Sequence, residues 1–166
     1  IDEGRVQELM RDATAPLNRE EGSNPYLIQE KLQQIMQRCV GIVRNAEDLQ
    51  KGLEELEELR EEAKTVKAHA SAQYNPGWNV ALDLRNLIIT AEAVTKAALL
   101  REESRGAHTR TDFEGERDEW LQYNVIVGSD EADNLVARKE ERADPPEDLA
   151  DIANATLEEL EAGKNG

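Results

Sequence analysis

The chain has 166 residues, with 20 Lys plus Arg against 36 Asp plus Glu and a formal net charge of −16. Such a surface repels phosphate backbones and anionic lipid, which excludes nucleic acid as an expected partner. Apolar residues make up 39% and aromatic ones 4%. That is the composition of one helix-rich domain with a Leu/Ala-filled core.

Residues 2 to 14 predict a short helix through Val6, Leu9, Met10 and Ala13, broken by Pro16 and by the stretch from Asn18 to Asn24. Asn24-Pro25 then reads as a helix start, Asn as N-cap and Pro where its missing N–H costs nothing. Ile28, Leu32, Ile35, Met36, Cys39 and Val43 follow at three- and four-residue steps and make one apolar stripe. Gly41 late in this helix is expected to admit a closely packed neighbouring helix. Cys39 is the single cysteine, so an internal disulfide and a Cys-rich metal site are excluded, and its place on the stripe marks it as a small buried thiol.

The Asn45 to Asp48 break leads into a second helix with Leu49, Leu53, Leu56, Ala63, Val66 and Ala70 on one face and Glu54, Glu55, Glu57, Glu58, Glu61 and Glu62 on the other. His69, near its end, reads as a surface or dipole partner. Tyr74-Asn75-Pro76-Gly77-Trp78 reads as a turn with Pro-Gly at its centre. A third helix is expected from about Ala81 to Glu103, with Leu84, Leu87, Ile88, Ala91, Val94, Thr95, Ala98 and Leu99 as its buried stripe. It is the most apolar segment and belongs at the centre of a bundle.

Beyond Gly106 the pattern changes. Residues 120–127 are β-prone and 134–138 form a candidate second strand, so a small hairpin is expected across Gly128 to Asp133. Asp144-Pro145-Pro146-Glu147 starts a last amphipathic helix through Leu149, Ile152, Ala153, Leu157 and Leu160, fading into Gly163 to Gly166. The expected fold is mostly α: a three-helix antiparallel bundle, spectrin-like and up-down-up, with a short N-terminal helix and an irregular C-terminal region holding the hairpin. Its segments are an N-terminal helix and loop (1–23), the bundle (24–104), a polar loop with an extended or hairpin region (105–143) and an acidic tail (144–166). No apolar run approaches the ~20 residues of a membrane span, and no signal peptide is read. The start at Ile1, without Met, reads as a piece of a longer protein.

No Gly-rich phosphate loop follows a strand and opens a helix, and His69 and His108 have no Cys/His cluster beside them. Ser104, His108 and Asp112 are the residue types of a nucleophilic triad, but no nucleophile elbow or oxyanion-hole glycine accompanies them. Catalytic, cofactor-binding and metal-binding residues are therefore all read as none. The run Glu103-Ser104-Arg105-Gly106-Ala107-His108-Thr109-Arg110-Thr111-Asp112-Phe113 remains the densest polar knot in the chain. It has two readings: Arg105 and Arg110 pair with nearby carboxylates or cap helix carbonyls, with Gly106 allowing the exit from the helix, or the same cations dock on another domain or a redox partner.

This run closely resembles the C-terminal domain of succinate dehydrogenase and fumarate reductase flavoprotein subunits; L-aspartate oxidases carry a near relative of it. The helix strings Leu32-Gln33-Gln34-Ile35-Met36, Val40-Gly41-Ile42-Val43-Arg44 and Ala81-Leu82-Asp83-Leu84-Arg85-Asn86-Leu87 support the likeness, which spans roughly residues 24 to 127. The sequence departs from it at Glu114, where the family carries Pro, and in an acidic tail that is longer and more helical. The resemblance implies a helical bundle packed against the FAD and capping domains of the same polypeptide. The parent would be an FAD enzyme interconverting succinate and fumarate, with electrons passing to a membrane quinone through an iron–sulfur subunit. It would lie in the cytoplasm or peripherally on the cytoplasmic face of the membrane. The active-site and flavin-linking residues would lie outside this chain, and Ser104, Arg105, His108, Arg110 and Asp112 would serve as a domain-docking block. The alternatives are the C-terminal domain of an L-aspartate oxidase and a helical interaction module with no enzymatic parent.

Overall fold

A computed structural model describes residues 2–162. The first helix, α1 (Glu3–Asn18), is capped by the Asp2 carboxylate, which accepts from the Arg5 N–H. It runs through Pro16 instead of stopping before it. Pro16 sits in the last turn, is buried, and its carbonyl accepts from the Ala68 N–H at 2.8 Å, so tertiary packing offsets the lost helical bond.

Asn24 caps α2 (Pro25–Cys39) as its sequence requires, accepting from Tyr26 N–H at 3.0 Å. Ile28, Leu32, Ile35 and Cys39 are buried. The helix ends before Val43, which is exposed in the short strand β1 (Val43–Arg44). Gly41 lies past the helix end: a Cβ there would meet the Gln37 carbonyl oxygen at 2.8 Å, so it serves the chain reversal and not a helix crossing. The close helix approach is at Gly52, where a Cβ would stand 3.0 Å from Cys39 Cβ.

Asn45 caps α3 (Ala46–Ala63) through the Asp48 N–H at 2.8 Å. The expected continuation to Ala70 fails. The Lys67 and Ala68 N–H groups bond to the Ser23 and Pro16 carbonyls, so residues 64–75 form an irregular strap that still buries Val66 and Ala68. His69 and Ala70 lie on this strap, with Ala70 exposed at φ 73°. The next helix, α4 (Pro76–Leu100), begins five residues earlier than expected, because Asn75-Pro76 repeats the Asn24-Pro25 start: Asn75 accepts from Trp78 N–H at 3.0 Å. It stops at Leu100, short of Glu103.

Lys31–Glu62 and Arg38–Glu55 ion pairs show α2 and α3 running antiparallel. The pairing of Leu49 with Ala98 at one end of the core, and of Arg60 with Glu92 further along, sets α3 antiparallel to α4. The up-down-up bundle read from the sequence is the architecture. Its core joins Ile28, Leu32 and Ile35 to Leu56, Leu59, Val66, Leu84 and Ile88, each fully buried Leu or Ile contributing roughly 1.5–3 kcal/mol.

The strand β2 (Thr109–Arg110) pairs in parallel with β1, Val43 opposite Thr109. A 3-10 turn (Asp118–Gln122) takes up Trp120, expected in a strand, and buries it. The hairpin follows as β3 (Tyr123–Ser129) and β4 (Leu135–Glu141), antiparallel with Ile126 opposite Arg138. It lies along α4, where Lys96 Nζ donates to the Leu135 carbonyl at 2.5 Å. The acidic tail is two short helices, α5 (Glu147–Asn154) and α6 (Leu157–Ala162), where one was expected. The terminal run 163–166 lies outside the described residues.

Candidate functional site: the polar loop at the helix ends

The loop from Arg101 to Arg117 leaves α4, folds back over its C-terminus and reaches the N-terminus of α3. Arg110 organises it. Its side chain is 1% exposed and all three of its nitrogens donate. Nε and Nη2 hold the two Asp112 carboxylate oxygens at 2.7 and 2.8 Å, a side-on bidentate pair. Nη1 donates to the Ala98, Leu99 and Arg101 carbonyls at 3.0, 3.0 and 3.2 Å, the acceptors that α4 leaves unpaired at its end. Asp112 in turn accepts the Ala46 N–H at 2.9 Å, the first amide of α3. The Arg110 hydrogen bonds, together with the Ala46 N–H, hold the Asp112 carboxyl well below the usual carboxylate range despite partial burial.

Ser104 ties the loop to itself. Its Oγ accepts the Arg110 N–H at 2.8 Å and lies 3.1 and 2.9 Å from the Arg110 and Phe113 carbonyls, either of which can take its proton. Arg105 N–H donates to the His108 carbonyl and His108 N–H to the Arg105 carbonyl, closing a tight turn that requires Gly106 at φ +60°. His108 bridges two helix ends. Its Nε2 lies 3.1 Å from the Arg101 carbonyl and its Nδ1 2.7 Å from Arg44 Nη1. An Arg donates only, so this network assigns the proton to Nε2 and leaves Nδ1 as acceptor. Burial lowers the imidazole pKa, and the Arg44, Arg110 and Arg101 charges reinforce this against the bond to the Arg101 carbonyl. The same Arg44 donates through Nε to the Val40 and Gly41 carbonyls at the end of α2.

The group that sequence reasoning missed is Glu103, 0% exposed. Its carboxylate accepts from Arg101 Nε at 2.8 Å, from Arg105 Nε at 3.1 Å and from the Arg117 N–H at 2.9 Å. Burial pushes its pKa up, but the Arg105, Arg117 and Arg101 bonds outweigh it and hold the pKa down at about 2. The arginines crowded around one glycine hinted at such a counterion, but a glutamate in a Glu-rich chain carries no signal of burial. Arg44, far from the loop in sequence, could not have been linked to it by spacing. Two aromatics complete the cluster. Phe113 faces the Arg110 and Arg117 guanidinium groups at 4.8 and 5.2 Å, and Trp120 lies against both Arg101 and the Lys139 ammonium, the latter 3.8 Å from its centroid.

The loop thus brings Ser104, Arg105, His108, Arg110 and Asp112 together, but not as a hydrogen-bonded triad. Ser104, His108 and Asp112 share no hydrogen bond: the serine serves the loop backbone, the histidine Arg44 and Arg101, the aspartate Arg110 and α3. Among the described residues no group of three His, Cys, Asp or Glu side chains is arranged to hold a metal ion, and no helix is long and apolar enough to cross a membrane.

The loop lies inside the stretch of the chain that matches known proteins. The family described as fumarate reductase flavoprotein C-term matches residues 29–145. In the CoM/CoB fumarate reductase of Methanothermobacter marburgensis, one polypeptide is 33% identical over 72% of this chain, which spans 20% of that polypeptide. The fumarate reductase flavoprotein subunit of Helicobacter pylori J99 is 36% identical over 63% of the chain, which spans 15% of it. Among solved structures, the Sdh1 complex of Mycobacterium smegmatis in its apo form superimposes with a TM-score of 0.83 at 35% identity, covering 98% of this chain and 28% of that one. Adenylylsulfate reductase from Archaeoglobus fulgidus superimposes at 0.75 with 26% identity, covering 87% and 25%. The chain is therefore a member of the fumarate reductase flavoprotein C-terminal family, the C-terminal domain of the succinate dehydrogenase and fumarate reductase flavoproteins.

Proposed function

We propose that this domain serves as the helical C-terminal part of an FAD-dependent enzyme that interconverts succinate and fumarate, and that it contributes shape and not reacting groups. The observation that carries this reading is the match over residues 29–145, with the self-paired loop at its centre. FAD, held by other parts of such an enzyme, would supply the hydride-transfer chemistry. The described residues do not fit a flavin cradle. The loop's guanidinium groups are engaged by Glu103, Asp112 and helix carbonyls, and among the described residues no glycine-rich turn joins a strand to a helix N-terminus.

The chain's own residues then act by position. Arg44, His108 and Arg110 hold the ends of α2 and α4 against the start of α3. Ser104, Arg105, His108, Arg110 and Asp112 serve docking by fixing the loop's outline, with the exposed Gly106–Ala107 tip available to meet the FAD and capping domains. An electron-accepting iron–sulfur subunit, and a peripheral place on the cytoplasmic face of the membrane, belong to the same reading.

The test is dye-linked turnover by the complete flavoprotein that carries this domain, assayed with succinate, fumarate and L-aspartate. Turnover of succinate or fumarate is expected. Oxidation of aspartate alone would replace the named reaction with that of an L-aspartate oxidase.

A further inference from the structure

The acidic tail stands apart from the domain that carries it. Between Ala143 and Ala162 it holds seven Asp and Glu and no Lys or Arg. Its helix α5 has an apolar face of Leu149, Ile152 and Ala153, with Asp148 at the edge and Glu147 and Asp151 behind. Leu149 and Ile152 are 53% and 57% exposed, and Leu157 on α6 73%. No side-chain bond caps α5, and Ala150 alone of its residues is partly buried. Eight residues with like charges and no cap do not hold a helix in water by themselves. The helix therefore belongs to a bound form, its apolar face covered by something outside this domain.

We infer that the tail is a docking segment for a second polypeptide, whose surface offers an apolar groove rimmed by lysine or arginine. This rests on the reading proposed above only in taking that polypeptide to be another subunit of the same enzyme. The matched family region stops at residue 145, so the tail is added to the shared domain and can serve a contact of its own. The superposition on the M. smegmatis Sdh1 chain takes in 98% of this chain, too much to leave α5 out. A counterpart of α5 thus stands in a chain solved within a complex. Leu149, Ile152 and Ala153 supply the anchors, three and four residues apart, of a helix laid in a groove. The carboxylates select the rim. With 20 Lys plus Arg against 36 Asp plus Glu, seven of these in the tail, the rest of the chain is itself acidic and offers the tail no complement. Complementary charge is what steers separate chains together.

Hydrogen exchange of the α5 amides, read by mass spectrometry, tests this in the complete complex and in the flavoprotein freed of its other subunits. Exchange slowed at least about tenfold in the complex, and fast in the separated flavoprotein, is expected. Slow exchange in both would put the tail on its own polypeptide, and fast exchange in both would leave it undocked; either overturns the inference. Leu149→Asp in the complex should restore fast exchange without changing bound FAD or the unfolding midpoint of the flavoprotein, since the domain leaves Leu149 exposed. Exchange still slow in that variant would overturn the groove. Asp148→Lys combined with Asp151→Lys should also restore fast exchange, and slow exchange kept there would overturn the basic rim. The exchange is read whichever dicarboxylate the complex turns over. A wrong reaction therefore leaves this inference standing, and failed protection in an active complex removes it alone.

Discussion

Arg110 and Asp112, two residues apart, form one side-on ion pair that caps two helices of opposite polarity. The guanidinium sits on the last carbonyls of α4 and the carboxylate on the first amide of α3. Each charge meets the end of the helix macrodipole that favours it, and each neutralises the other. This lets the fold hold a guanidinium at 1% exposure.

Arg110→Ala is expected to destabilise the protein by about 3–5 kcal/mol, since it strands Asp112 and three carbonyls together. Arg110→Lys should recover little of this, because an ammonium cannot make a side-on pair and cap carbonyls at once. Thermal unfolding of the two variants checks the order. Equal melting of Arg110→Lys and the parent would contradict the capping role.

Stability should fall as the medium is acidified, in two windows. His108 has a folded pKa below its ordinary value of 6.5. Below that pH the unfolded chain takes up the proton first, and stability drops as pH falls from 6.5 towards the folded value. Glu103, at about 2 against an ordinary 4.5, contributes stability that is complete above 4.5 and is lost as pH falls towards 2. Unfolding midpoints followed from neutral pH down into the carboxylate range should therefore decline throughout, and His108→Asn should flatten the upper limb only.

Gly22 and Gly52 differ in how far a methyl group would crowd the residues packed against them. At Gly22 a Cβ would meet the Thr65 carbonyl oxygen at 2.1 Å, and at Gly52 it would meet Cys39 Cβ at 3.0 Å. Gly22→Ala forces backbone to move and should cost more than Gly52→Ala, for which a typical overpacking penalty of about 1–3 kcal/mol applies. Denaturant midpoints of the pair give the comparison, and the reverse order would show that the strap at 64–75 yields easily.

Asn24 and Asn75 each cap a helix that opens with Pro, Asn24 through the Tyr26 N–H and Asn75 through the Trp78 N–H, yet their substitution should not be equivalent. Asn24→Ala loses a cap worth about 1 kcal/mol. Asn75 also donates through Nδ2 to the His69 and Ser71 carbonyls at 2.7 and 2.9 Å, so Asn75→Ala should cost more and free the strap. Proteolysis between His69 and Tyr74 in Asn75→Ala, absent in Asn24→Ala, is the expected sign.

The bundle was legible because its helices carry their own start signals and stripes. Ile28 to Cys39, and Leu84, Ile88, Ala91, Thr95 and Ala98, lie where their spacing puts them, whereas Leu87 and Val94, expected in the buried stripe, are exposed at its edge. Errors fell where tertiary contacts decide. Pro16 stays helical because Ala68 bonds to it, Val66 is core without being helical, and Asn75-Pro76 starts a helix although Pro-Gly alone reads as a turn. Of the loop, the pairing of Arg110 and the turn at Gly106 were within reach of local reasoning. The buried Glu103 and the Arg44–His108 contact were not, because one looks like any surface glutamate and the other spans 64 positions.

In the function proposed here the loop holds helix ends together, and the chemistry falls to other parts of the enzyme. The most direct test is kcat for succinate oxidation, per bound FAD, in the complete flavoprotein carrying Arg110→Lys, with the unfolding midpoint measured on the same sample. A clearly lowered midpoint with a kcat close to that of the parent is expected. An unchanged midpoint with kcat reduced by orders of magnitude would place Arg110 in the reaction itself and contradict the scaffold role.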